Sequence, residues 1–366
     1  MGRVLVAMSG GVDSSVAAAR LVAAGLEVVG VTLHLWDTPD DGSVKGRCCA
    51  PEDVHDARRV ADALGIAHYS FDRREQFRRE VVSPFVDAYL AGETPSPCVT
   101  CNRSVKMHEL LSLADRLDAD AVATGHYARV DHVAEPPRLL RARDREKDQS
   151  YFLHMLDARA LARLRFPLGE ATKPEVRAEA ARLGLPGATK GESQELCFVP
   201  SGHYAEFVAR EAGERAKGGV VVDERGRVLG EHDGVHRFTI GQRKNLRIAV
   251  GRRAYVVDID AVTGKVTLGE REQLASEGAV VEGVTLAADV TLPIEVGVAV
   301  RYRAEPVPAI VEHLSSGEAL VRFRAPVSAV VPGQFAVFYQ GERVLGGGRI
   351  ARAVRARATV ADEVRA

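Results

Sequence analysis

The stretch RVLVAMSGGVDSSVAAARLVAA, residues 3–24, runs from an apolar segment through a glycine turn into a helical pattern. Arg3 to Met8 reads as a buried strand, and Val12 to Ala24 repeats small apolar residues at helical spacing. Between them, Ser9-Gly10-Gly11-Val12-Asp13-Ser14-Ser15 is a glycine loop feeding a helix N-terminus. Such a junction aims several backbone N–H groups at one point, where the positive end of the helix dipole favours an anion. Ser9, Ser14 and Ser15 add hydroxyl donors. The loop contains no Lys, which excludes a Walker A motif, and it lacks the G-x-G-x-x-G spacing of a dinucleotide fold. Asp13 would repel a bare phosphate but suits a Mg²⁺ ligand beside one.

Working outward, Glu27 to Leu35 reads as a second strand, Pro51 to Leu64 as a helix and Ile66 to Phe71 as a third strand. A helical stretch from Arg73 to Ala91 leads to TPSPCVTC, whose prolines predict a surface loop. Lys106 to Leu117 is helical again, and Ala121 to Thr124 is a strand ending in Gly125-His126. This alternation predicts a parallel sheet with helices on both faces. From about Val220 the period changes to two. VVVDERGRVLG and YVVDIDAVTGKVTLG predict hairpins, and VAVRYRAE, AIVEHLSSGEALVRF and GQFAVFYQGERVLGGG continue the strands. The expected fold class is α/β: an N-terminal parallel-sheet domain over 1–205, a small β-rich central domain over 206–275 and a C-terminal β-barrel-like domain over 276–358. The Ala/Arg-rich tail beyond is expected to fray.

The 366 residues suit two or three such domains, and 46% hydrophobic with 27% charged residues excludes disordered and fibrous classes. No apolar run reaches the ~18 residues of a membrane span, and the N-terminus is not a secretory signal, so no membrane partner and a cytoplasmic location are expected. The net charge of −1 gives no global sign of a polyanionic partner. Of the 49 basic residues only eight are Lys. That bias fits a GC-rich genome, with Arg-based phosphate recognition the sharper reading. Five cysteines in so long a chain are no disulfide framework. They fall as Cys48 and Cys49 together, Cys98 and Cys101 as C-x-x-C, and Cys197 alone.

SGGVDSS resembles the PP-loop of the ATP pyrophosphatases, which cleave ATP between the α and β phosphates and adenylate a carbonyl oxygen. The remaining motifs narrow the resemblance. TPSPCVTCNRSVK, ATGHYAR, KDQSYFL, KGESQELCFVPSG, TIGQRKNL, RYR, PGQFAVFY and LGGG, in that order, resemble the tRNA-specific 2-thiouridylase family. The resemblance implies that ATP and Mg²⁺ activate the 2-carbonyl of a tRNA wobble uridine, in acceptors of the Lys, Glu and Gln type. Cys197 then corresponds to the residue that carries sulfur as a persulfide, supplied by a cysteine desulfurase or sulfur-relay protein. Cys101 corresponds to the thiolate that attacks the persulfide and ends in a disulfide with Cys197. Thiolate chemistry of this kind is helped by local positive charge, and Arg103 and Lys106 lie close to Cys101 in sequence.

By the same resemblance, Ala7, Met8, Ser9, Gly10, Gly11, Val12, Asp13, Ser14, Leu33 and Gly125 are the expected ATP contacts. Ser96, Pro97 and Cys98 match the segment that meets the target base. His126, Lys147, Asp148, Gln149, Arg301, Tyr302 and Gln334 match tRNA contacts, the last three carried by the β-domain, where strand-borne Arg and aromatic residues suit backbone pairing and base stacking. Cys98 departs from the family's more common Asp. It therefore competes with Cys101 as the resolving thiol, and with Cys101 and Cys197 it leaves open a three-thiolate site for an iron–sulfur cluster. Cys48 and Cys49 are expected to be incidental. Two other readings stay open on the residues alone: a PP-loop enzyme that amidates a small carbonyl compound, and a non-catalytic module that binds nucleotide and RNA.

Overall fold

The apolar run after Arg3 becomes β1 (Arg3–Ala7), whose Val4, Leu5 and Val6 are buried as expected of a strand covered on both faces. In this computed structural model, which describes residues 2–37, 51–186, 196–199, 203–246, 248, 251, 253–315 and 317–355, β1 is the middle of a five-stranded sheet. The helix α1 (Val12–Ala23) follows it, then β2 (Glu27–His34), α2 (Pro51–Leu64) and β3 (Ala67–Asp72). The chain then returns to the other side of β1 as β4 (Ala121–Ala123), and the short strand Leu164–Arg165 completes the edge. Every pairing in this sheet is parallel. The strand order reverses between β1 and β4, so the crevice outside their carboxyl ends is where this topology receives a ligand.

The expected strands and helices of this half are present to within a few residues, with two differences. The stretch from Arg74 to Leu90 is helical throughout but widens to a π-helix over Arg78–Val82. More consequentially, TPSPCVTC is not a loop. Pro97 opens a helix, Pro97–Cys101, that continues through a π-helical turn, Asn102–Met107, into His108–Arg116. Proline is well suited to the first turn, where its missing N–H is not needed, so the residue read as a loop marker is here a helix start.

Both hairpins of the central module form and join through a parallel pair, Gly219–Asp223 with Lys265–Gly269. The last six strands close into an antiparallel barrel, with Ala275–Leu286 pairing both Glu318–Ser328 and Arg343–Arg355. Val281, Val298, Val311, Val321, Phe338 and Ile350 fill it. RYR does not lie on a strand as expected: its strand ends at Ala299, and Arg301–Arg303 form a turn in which Arg303 takes φ 61°. A hairpin within the N-terminal half, Arg129–Asp131 and Arg138–Leu140, adds to the barrel sheet where Leu140 meets Arg343. Among the described residues no helix is long and apolar enough to cross a membrane.

All three units meet at residues 92–95. The Thr94 N–H donates to the Pro332 carbonyl at 2.9 Å, and the Gln334 side-chain amide donates to the Thr94 carbonyl at 2.8 Å. Thr94 also reaches Thr239 of the central module, and Gly92 packs against Ile259. Arg349 of the barrel is ion-paired with Glu93 and Glu282. Gly333 sits at φ +90°, and a Cβ there would lie 3.0 Å from the Thr94 backbone. Gly333→Ala is therefore expected to destabilise the barrel's attachment by about 1–3 kcal/mol, combining positive-φ strain with overpacking. Limited proteolysis near residue 93 reports it, and unchanged cleavage would refute the constraint.

Candidate active site

The glycine loop leaves β1 with its backbone pinned: the Met8 N–H donates to the Val31 carbonyl at 2.8 Å, and the Thr32 hydroxyl donates to the Met8 carbonyl at 2.7 Å. Gly10 has φ +69°, and a Cβ on it would lie 2.3 Å from the Asp53 carbonyl oxygen, so only glycine fits. Gly11 occupies the N-cap of α1 and has no side chain to cap the first turn. Across the switch point Gly125 comes so close that a Cβ would lie 2.8 Å from the Ser14 nitrogen. Gly125 thus meets the first turn of α1, and Met8 and Val12 can offer only their backbone there, because their side chains are core. Leu33, at the end of β2, packs at the boundary between the sheet core and the aromatic cluster described below.

Two of the three serines differ from expectation. Ser14 and Ser15 donate their hydroxyls to the Gly11 carbonyl, at 3.0 and 2.9 Å, and both are buried. This is the back-bonding open to Ser in a helix's first turns, and it stiffens the loop rather than offering hydroxyls to a ligand. Asp13 differs more. Its carboxylate is held by Lys173 Nζ at 2.6 and 2.7 Å, and the Tyr127 hydroxyl donates to it at 2.9 Å. Lys173 and Tyr127 were not singled out from the sequence. The available signal was the segment TKPE, a helix-opening pattern with a lysine in its first turn.

His126 follows Gly125 with its Nδ1 2.7 Å from the Thr124 hydroxyl and its ring against Phe166. Desolvation, with the nearby Lys106 ammonium, pulls its pKa down to about 3, so the ring is neutral at physiological pH. Lys106 belongs to the helix that begins at Pro97, so the π-helical turn that follows the C-x-x-C segment stands near the end of β4. Cys98 and Cys101 lie one turn apart on that helix, the first half-buried and the second 6% exposed. Cys101 is not the surface-loop residue expected. It belongs to a buried cluster with Phe77, Phe85, Phe198 and Phe207, and Cys197 packs at the edge of the same cluster. The two cysteines, 96 positions apart in the sequence, are therefore gathered into one region beyond the sheet's carboxyl edge. Among the described residues no three His, Cys, Asp or Glu side chains form a group fit to hold a metal, so Cys98, Cys101 and Cys197 are not disposed as the three-thiolate iron–sulfur site. Cys48 and Cys49 lie outside the described residues.

The expected RNA contacts divide. Ser96 and Pro97 line a cavity of about 520 Å³ with Phe85, Phe335 and Arg349. The Tyr302 ring lies tilted against Phe152, 4.3 Å between centres, with Arg303 also over the Tyr302 ring, which brings RYR and KDQSYFL together beside exposed Arg301. Lys147 is half-buried at the start of this segment. Asp148, expected to face RNA, is turned inward: Arg141 and the N–H groups of Ala142 and Ser150 hold its carboxylate at 2.9–3.1 Å. Gln149 accepts from the Tyr127 N–H and so fixes the residue that reaches Asp13. Gln334 spends its side-chain amide on the Thr94 carbonyl. These last three hold structure in place.

A pinned glycine loop at a switch point, in one domain with a helix that carries cysteines, defines an α/β enzyme of the PP-loop class joined to two β modules. Comparison with known proteins narrows the class. Residues 2–201 match the family profile described as tRNA methyl transferase HUP domain, 205–270 the tRNA methyl transferase PRC-barrel domain and 281–350 the aminomethyltransferase beta-barrel domain. A tRNA-specific 2-thiouridylase from Sorangium cellulosum is 62% identical over 97% of this chain and 94% of its own length. Its counterpart in Geobacter metallireducens is 48% identical over 95% of this chain and 96% of its own, and that of Geotalea uraniireducens 46% over 99% and 98%. The chain belongs to the tRNA-specific 2-thiouridylase family.

His154, buried beside Tyr151 and Phe335, resembles His126 electrostatically: burial pulls its pKa down to about 4. Its Nδ1 lies 2.7 Å from the Tyr151 carbonyl oxygen, which can only accept, so Nδ1 carries the proton of the neutral ring. Both folded-state values lie below the unfolded value of 6.5, so the unfolded chain takes up more protons as the pH falls. Stability present above pH 6.5 is then lost on acidification, by about 2 kcal/mol per histidine at pH 5. Denaturant unfolding at pH 7.5 and pH 5 measures the loss, and His154→Asn should remove roughly half of the part that His126 and His154 contribute. An unchanged pH dependence in that variant would contradict the assignment.

Proposed function

We propose that this chain 2-thiolates the wobble uridine of tRNA at the expense of ATP. The observation that carries the reading is the placement of Cys101 and Cys197 in one cluster with Leu33 and Leu35, at the carboxyl end of β2, the strand that pairs with β1 before the glycine loop. In the first step the uridine 2-carbonyl oxygen bonds to the α-phosphorus of ATP, and diphosphate leaves with the electron pair of the broken anhydride. The oxygen, a poor leaving group as oxide, now departs readily within AMP. A persulfide on Cys197 supplies the nucleophile, either as its terminal sulfur or as hydrosulfide released from it. Carbon 2 gains sulfur and loses AMP, Cys101 attacks Sγ of Cys197, and the pair ends as a disulfide that an external thiol must reduce. Among the described residues an amide-forming reaction gives the cysteine cluster no task.

The uncapped start of α1 serves the phosphates, and neutral His126 serves the uridine as a hydrogen-bonding group at the rim. Asp13 presents a hard oxygen ligand beside the phosphates, which suits Mg²⁺, an ion that binds by one or two carboxylates plus phosphate. When bound, Mg²⁺ would screen the phosphate charge. Units 1–205, 206–275 and 276–358 divide the labour, the first activating and the other two gripping the RNA, with Arg301 and Tyr302 as outer contacts. tRNAs of the Lys, Glu and Gln type are the substrates, and a cysteine desulfurase or sulfur-relay protein is the donor in the cytoplasm.

Nucleoside analysis of tRNA from cells that lack the chain is expected to show loss of 2-thiouridine, and its persistence without a redundant enzyme would sink the proposal. In vitro, Cys101→Ser and Cys197→Ser should each cut sulfur incorporation by at least about 10²-fold while AMP release from ATP continues. Equal loss of AMP release would mean that the thiols serve structure instead.

A further inference from the structure

The geometry assigns Lys173 as the residue that grips the diphosphate portion of ATP, resting on Asp13 when the site holds no nucleotide. This inference rests on the ATP site described above and adds a cation that the loop does not contain.

Lys173 stands at the first position of the helix Lys173–Arg182, and only 9% of its side chain is exposed. That position is unfavourable twice over. Burial removes the ammonium's hydration, and the first turn of a helix carries the positive end of its dipole, which disfavours cations. The helix has also been secured without it. The Thr172 side chain and Glu175 form a reciprocal capping box, and Asp144 accepts from the Lys173 N–H at 2.8 Å. A residue placed against local preference on a rigid element marks a functional position.

Its direction is equally specific. Arg20, seven residues beyond Asp13 in α1, pairs with Glu179, six residues beyond Lys173, at 2.6 Å. The two helices therefore lie side by side and run the same way, with both starts at the glycine loop. The ammonium reaches Asp13 at 2.6 and 2.7 Å and lies 5.8 Å from the ring centre of Tyr127. The loop's backbone N–H groups can hold one phosphate, but the triphosphate of ATP carries more charge than one helix start, worth roughly half a unit, can match. Asp13 keeps Lys173 extended toward that place. As ATP arrives, the ammonium exchanges carboxylate for phosphate oxygen, and Asp13 is left available to a divalent cation. During adenylation the α–β anhydride bond breaks toward the group that Lys173 holds, so the same contact stabilises the departing diphosphate.

Equilibrium binding of adenosine, AMP and ATP to the full chain, with chelator present, separates this role from a structural one. The wild type is expected to bind ATP more tightly than AMP, and inorganic diphosphate should compete. Lys173→Met should weaken ATP and diphosphate about 10- to 100-fold and leave AMP within about twofold. Lys173→Arg, which keeps the charge, should recover most of the loss and guards against a variant that fails to fold. Equal weakening of AMP and ATP, or no weakening of either, would overturn the assignment while leaving the ATP site intact. A wild type that does not distinguish ATP from adenosine would overturn the ATP reading and this inference together.

Discussion

Two backbones that approach too closely for a side chain govern the catalytic half. Gly125 and the first turn of α1 meet at the switch point with no room for a Cβ between them, and Gly10 meets Asp53 in the same way. These contacts fix the loop from both sides, so the amides at the start of α1 keep one direction with no ligand present. The rest of the site is measured from that point. Residues 126 and 127 leave Gly125 immediately, which places a neutral imidazole at the rim and a phenol on Asp13. Gln149, by accepting from the Tyr127 N–H, carries the same order into the segment that meets Tyr302.

The cysteine cluster is built on different physics. Cys101 and Cys197 are held by an aromatic cluster whose rings meet mostly edge to face, with Phe198 contacting Phe77, Phe85 and Phe207. Such packing has directional preferences but few polar demands, so it can enclose a thiol without obliging it to hydrogen-bond. The π-helical turns at Arg78–Val82 and Asn102–Met107 flank this cluster, and wide turns of that kind are common at functional sites.

Much of this was legible in the sequence where the deciding physics is local. A strand, two glycines and a helix announce a loop, and period-two alternation announces hairpins. Reading failed where a residue's role depends on what packs against it. Pro97 is a loop marker by composition but a helix start once Ser96 precedes it in an extended-to-turn conformation. Asp148 is polar enough for an RNA surface, yet three donors from its own neighbourhood draw it inward. RYR alternates like a strand, but Arg303 turns to positive φ. Lys173 needed the pairing of two helices 150 residues apart before its ammonium had a destination.

The clamp at residues 92–95 relies heavily on main-chain atoms: Gln334 donates to a carbonyl, Thr94 donates to a carbonyl, and Gly333 abuts backbone. Contacts of that kind specify a path for the chain and are indifferent to much of its side-chain identity. Gly92, Glu93 and Thr94 are also held by their own identities, against Ile259, Arg349 and Thr239, so it is Pro95 and Ser96, lining the cavity, that are free to drift in sequence while the chain's course through space stays fixed. Substitution there can retune what the cavity beside Pro97 admits without unseating the barrel, which makes this junction a place where specificity can evolve separately from stability.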